Sequence, residues 1–78
     1  MTQVQFESAL RAYCRRRPFV RFIIEFASGG TLLVRHPELV KKHGKKHGTL
    51  YAMRMPNGGS VVFPSESVTR MLDESARE

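Results

Sequence analysis

Cysteine is almost missing from this chain. Cys14 is the only one in 78 residues, so no internal disulfide can form. One unpaired thiol suits a reducing cytoplasm. Long apolar runs are missing too, and nothing approaches the ~20 residues that span a bilayer. The first turn carries Gln3, Gln5 and Glu7 where a secretory signal would be apolar, so no signal peptide is expected. The expectation is a soluble, cytoplasmic protein without a membrane partner.

Acid is scarce where base is dense. Between Arg11 and Arg54, eleven Lys and Arg face only Glu25 and Glu38. From Glu66 to Glu78 the balance reverses, with four acids against Arg70 and Arg77. The formal net charge is +6. A basic body with an acidic tail favours polyanionic partners, nucleic acid first and an acidic protein surface second. The plain alternative is a solvated surface with no partner.

The scarcity also limits chemistry. Glu25, Glu38 and Glu66 fall on separate elements and suggest no acid/base pair. Cys14 precedes Arg15, Arg16 and Arg17, cations that favour a thiolate, but no base-and-orienter set accompanies it. A small thiol on an apolar helix face is the ordinary reading. His43 and His47 are four apart, with no nearby cysteine or carboxylate to complete a metal site. His36 precedes Pro37 as a strand-end residue. Gly29-Gly30 and Gly58-Gly59 are not followed by a helix N-terminus and make no phosphate cradle. No enzyme, metal or cofactor is expected.

What is present makes one domain, residues 1–78. A chain this short buries only about 60% of its unfolded surface, so oligomerisation or docking would help it. Residues 2–17 read as a helix. Thr2 and Gln5 form a capping box, Met1 and Phe6 a hydrophobic staple, and Phe6, Leu10, Tyr13 and Cys14 one apolar stripe. Pro18 stops it. Residues 19–27 alternate as a strand, Val20, Phe22, Ile24 and Phe26 on one face and Phe19, Arg21, Ile23 and Glu25 on the other. Further strands are expected at 31–36, 49–55, 60–63 and 67–72. In the last, Val68, Arg70 and Leu72 oppose Thr69 and Met71. Ser28-Gly29-Gly30 and Pro56-Asn57-Gly58-Gly59 read as hairpin turns, Pro64-Ser65-Glu66 as a tight single turn, and residues 73–78 as a fraying tail.

Residues 41–48 are two copies of Lys-Lys-His-Gly in tandem. Gly44 and Gly48 discourage a helix, so this stretch reads as a basic loop between strands. Lys41, Lys42, Lys45 and Lys46 would neutralise phosphates without reading sequence. Arg15, Arg16 and Arg17 form a second cluster, read either as phosphate contacts or as charges favourable to the helix dipole. Arg21, Arg35 and Arg54 lie on strands and would line a face between the clusters. Phe19 and Tyr51 are the aromatics available to stack bases, or else to join the core or a subunit interface.

One helix followed by five short strands suggests a mainly β protein: a small five-stranded SH3-like or Sm-like barrel, its end capped by the helix. The order of elements resembles the Sm-like (Hfq-like) family. Phe63 to Leu72 has the look of that family's one-turn link and final strand, and Ser28-Gly29-Gly30 stands at its first glycine turn. The likeness is architectural and carries over no site residue. Arg17-Pro18-Phe19, Phe22, Ile24 and Val34-Arg35-His36-Pro37-Glu38 are similar to a pattern in short uncharacterised bacterial proteins, which implies a reused domain and no activity. The function expected is nucleic-acid binding, RNA or single strands before duplex DNA. The alternative is a protein-interaction or self-assembling module, either a homo-oligomer or part of a larger complex.

Overall fold

The structure, a computed structural model, describes residues 1–44 and 49–76. Thr2 starts the helix by the reciprocal cap its sequence suggests. Its hydroxyl accepts from the Gln5 N–H at 3.1 Å, and the Gln5 side-chain oxygen accepts from the Thr2 N–H at 3.0 Å. Helix α1 runs Gln3–Cys14, short of residue 17, and the Arg15 N–H closes it on the Arg11 carbonyl. Residues 16 and 17 leave the helix ahead of a cis Arg17–Pro18 peptide. Helical angles before proline are disfavoured, and Arg16 turns away to other partners.

Among the described residues six strands follow: β1 (Phe22–Phe26), β2 (Thr31–Val34), β3 (Val40–His43), β4 (Leu50–Arg54), β5 (Ser60–Pro64) and β6 (Val68–Asp73). They form two antiparallel three-stranded sheets, ordered β2-β1-β6 and β3-β4-β5. The closed five-stranded barrel expected from the sequence does not form. The cause lies between β2 and β3. Pro37 has no N–H to give a ladder, and the Leu39 N–H bonds back to the His36 carbonyl at 3.2 Å. The chain therefore leaves one sheet and starts afresh in the other, with no strand common to both.

The sixth strand, β3, occupies the stretch expected to open the basic loop. Lys41 pairs with Ala52, Lys42 with Tyr51 and His43 with Leu50. Only Val40 of this strand is buried. An edge strand needs backbone partners more than apolar side chains, and lysine suits an edge because it discourages further pairing. Lys45, Lys46, His47 and Gly48 lie outside the described residues.

The sheets face each other across one core: Phe22, Ile24, Leu32, Val34, Val68 and Met71 from the first, Val40, Tyr51, Met53 and Phe63 from the second. Helix α1 touches both inner faces. Phe6 packs on Tyr51 and Phe63, with ring centroids 4.5 and 5.8 Å away, and Tyr13 packs on Phe22 at 4.8 Å. The Tyr13 hydroxyl also donates to the Met71 carbonyl at 3.2 Å. The expected apolar stripe is thus the face that α1 buries.

Two departures concern strand faces. Glu25 pairs with Arg70 while Phe26 pairs with Val68, so Thr69 is an extra residue and β6 carries a bulge. That is why Val68 and Met71, three apart, both turn inward and the expected alternation fails. Ile23, on the outer face of β1, is only 2% exposed. It pairs with Leu33 and Leu72, and the ion pairs Arg21–Glu74 and Arg70–Glu25 flank that row. Both hairpin turns form, with Gly29 and Gly58 at φ +95° and +92°. Ser65–Ser67 makes the tight turn, and Asp73 and Glu74 are held in a strand end and a 3₁₀ turn. No helix among the described residues is long and apolar enough to cross a membrane.

Candidate functional site

The basic residues separate by whether a carboxylate already holds them. Arg16 is held most completely. It meets Asp73 at 2.6 Å, donates to the Val20 carbonyl at 3.0 Å and lies 4.6 Å from the Tyr13 ring centroid. Arg21 pairs with Glu74 at 2.8 Å and Arg70 with Glu25 at 2.9 Å. Lys42 pairs with Glu7 at 3.2 Å. Asp73 and Glu74, expected to fray with the tail, are each held by an arginine, while residues 77 and 78 lie outside the described residues. Among the described residues Lys41, Arg35 and Arg54 on or beside strands, and Arg11, Arg15 and Arg17 around the helix end, make no ion pair.

Lys41 and Arg54 share the outer face of the second sheet. With Val40, Tyr51, Met53 and Phe63 inward, alternation turns Lys41, His43, Ala52, Arg54 and Val62 outward. A shallow hollow of about 420 Å³ on this face is lined by Lys41, His43, Ala52, Arg54 and Ser60, with Glu38 as its acid. Beside it the two sheets part. A cleft of about 530 Å³ opens between β2 and the turn joining β4 to β5. Its walls are Leu32, Leu33, Leu39, Met53 and Met55, and Arg35, His36 and Arg54 stand among them. No carboxylate lines it. Arg54 borders both hollow and cleft, so Lys41, Arg54 and Arg35 follow one another along a single surface.

A third concavity, about 340 Å³, lies between α1 and β3 and contains Glu7, Cys14, Lys42 and Tyr51. Its chemistry is locked. Glu7 Oε2 accepts from Tyr51 at 2.6 Å and from Gln3 at 3.2 Å, and Lys42 stands 3.2 Å away. These donors, Tyr51 foremost, hold the Glu7 carboxyl down to about 2. Burial and the bond to Glu7 push the Tyr51 hydroxyl well above its ordinary value. Burial also raises the Cys14 thiol, with Arg16 opposing and Glu38 adding to it, and Sγ donates to the Pro37 carbonyl at 3.4 Å. At neutral pH the cluster is a fixed carboxylate, phenol and thiol that clamps α1 to the second sheet.

The aromatic candidates change role. Tyr51 is 1% exposed and belongs to the core, so it offers no face to a base. Phe19 is half-buried against Phe22, with centroids 6.1 Å apart. The residues that sequence reasoning missed are Leu39, Met53 and Met55. A signal was present, since Met53 and Met55 bracket Arg54 in the sequence. No family model, curated protein or solved structure matches the chain.

Proposed function

We propose that this protein binds single-stranded nucleic acid, RNA before duplex DNA, along the surface that runs from Lys41 through Arg54 to Arg35. The observation that carries this reading is the selective pairing of charge. Among the described residues four cations are held by carboxylates, Lys42 at the margin of the hollow included, while these three share one surface and pair with none. Arginine and lysine on an exposed sheet face attract a phosphate backbone. Helix α1 carries a single cation, Arg11, within Gln3–Cys14, which is little for a helix docked among the phosphates of a major groove. Arg15 and Arg17, exposed at the helix end, add further positive charge. A reduced Cys14 is consistent with a cytoplasmic setting.

Salt-dependent anisotropy of a labelled single-stranded RNA tests this. Wild type should lose affinity steeply as salt rises. The triple variant Lys41→Ala, Arg35→Ala, Arg54→Ala should bind weakly, with a slope of log K against log salt shallower by about 2, at ~0.7 per phosphate contact. Equal slopes for the two proteins would refute it. A second reading, docking of an acidic protein, has Val62 in its favour, 47% exposed on the same face. Co-purification of a stoichiometric protein in place of nuclease-sensitive material would select it.

A further inference from the structure

The cleft beside Arg54 has a different character from the open sheet face, and we infer that it is a base-binding subsite. It would receive one unstacked nucleobase of a bound single strand, with Arg35 and Arg54 taking the phosphates on either side. This rests on the nucleic-acid reading above and adds to it a specific place and a specific chemical group.

Three features of the cleft select this occupant. The first is its lining. Leu39, Met53 and Met55 supply an apolar floor, and the volume of about 530 Å³ falls within the roughly 300–1,000 Å³ typical of small-ligand sites. Thioether sulfur makes favourable contacts with aromatic ring edges, so two methionines suit a flat ring. The second is the rim. Arg35, Arg54 and His36 stand there with no acid among the lining residues. Guanidinium planes stack on bases and fork onto phosphates. An isolated small anion would satisfy one arginine, whereas a nucleotide within a strand carries a phosphate on each side.

The third feature is the backbone. Thr31, Leu32 and Leu33 are consecutive, with side chains on alternating faces, yet all line the same cleft. The cleft therefore meets β2 edge-on. β2 is an edge of its sheet, so its outward N–H and C=O groups have no ladder partner there. Such groups can take the hydrogen bonds of a base edge, which a purely apolar slot cannot.

Abasic substitution separates the base from its phosphates. Wild-type protein is titrated with a single-stranded oligonucleotide and with an abasic oligonucleotide of the same length and charge. Natural bases should bind about 5- to 100-fold more tightly, the range expected for stacking of one base. Thr31→Trp, at the mouth of the cleft, should bring the natural oligonucleotide to the abasic level and leave abasic binding unchanged. Methyl NMR of wild type should show Met53 and Met55 shifting with the natural strand only. Equal affinities for the two oligonucleotides, with unmoved methionine methyls, would overturn the subsite and leave phosphate binding standing. Failure of both oligonucleotides to bind would overturn both readings.

Discussion

The Tyr51 hydroxyl donates to Glu7 Oε2 across 2.6 Å, joining the middle strand of one sheet to the first turns of the helix. The bond has a pH signature. Glu7 is held at about 2, below its ordinary value of 4.5. A carboxylate with a lowered folded-state value stabilises the fold fully above its unfolded value and loses that contribution as pH falls through the folded one. Wild-type thermal stability should therefore fall between pH about 4.5 and about 2 from this source. Glu7→Gln should be less stable at pH 7 and show a flatter profile over that interval, as thermal melts across an acid series would reveal. Parallel profiles for the two proteins would contradict the assignment.

Arg16 and Arg54 should behave oppositely when truncated. Arg16 is tied to Asp73, Val20 and the Tyr13 ring. Arg16→Ala should cost about 1–2 kcal/mol of stability, from a partly exposed ion pair and a cation–π contact. Its effect on RNA affinity should be small. Arg54→Ala should leave the denaturation midpoint nearly unchanged and weaken RNA binding severalfold. Urea titrations and anisotropy on the same two variants read both quantities.

Cys14 should be slow to modify in the folded protein. Burial raises its thiol and the Pro37 carbonyl accepts its hydrogen bond. The thiolate is the reactive form. Alkylation at neutral pH should proceed well below the rate of a free thiol and accelerate to that rate in denaturant. Fast labelling of the native protein would show that the helix end opens.

Deleting Thr69 should cost far less than truncating the apolar side chains on either side of it. Thr69 is the extra residue of the bulge. Without it Val68 and Met71 stand two apart, Arg70 stays opposite Glu25 and Val68 opposite Phe26, and ordinary alternation turns both apolar side chains inward. Met71→Ala should lose about 2–5 kcal/mol, the scale of removing a large buried apolar side chain. Thr69→Ala, at an exposed position, should fall within about 0.5 kcal/mol of wild type, and urea titrations of the three variants read the order.

The parts legible in the sequence were those governed by near neighbours. The cap at Thr2, the stripe from Phe6 to Cys14 and the turns at Gly29 and Gly58 depend on residues a few positions apart. Lys41-Lys42-His43 carries no alternation, and its strand exists because Tyr51 and Ala52 present a ladder to it. The bulge at Thr69 likewise answers a register with β1 that no local pattern encodes. The site divides along the same line. Arg35 and Arg54 stood out as cations on strands. The cleft walls at Leu39, Met53 and Met55 converge only because the two sheets part beside β2.

One pairing sets the order in which the molecule can be finished. β1 is the central strand of its sheet, and one of its neighbours is β6, with Phe22 opposite Asp73. The β1–β2 hairpin closes through the short turn at Gly29, whereas β6 reaches β1 only after the chain has passed through every strand of the second sheet. Contacts so distant in sequence form slowly because a long loop must close first. Until β6 arrives, Tyr13 lacks the Met71 carbonyl, Arg16 lacks Asp73, and one side of β1 stays bare. A nascent chain stalled before Val68 should therefore present an unpaired apolar strand, the state most in need of a chaperone.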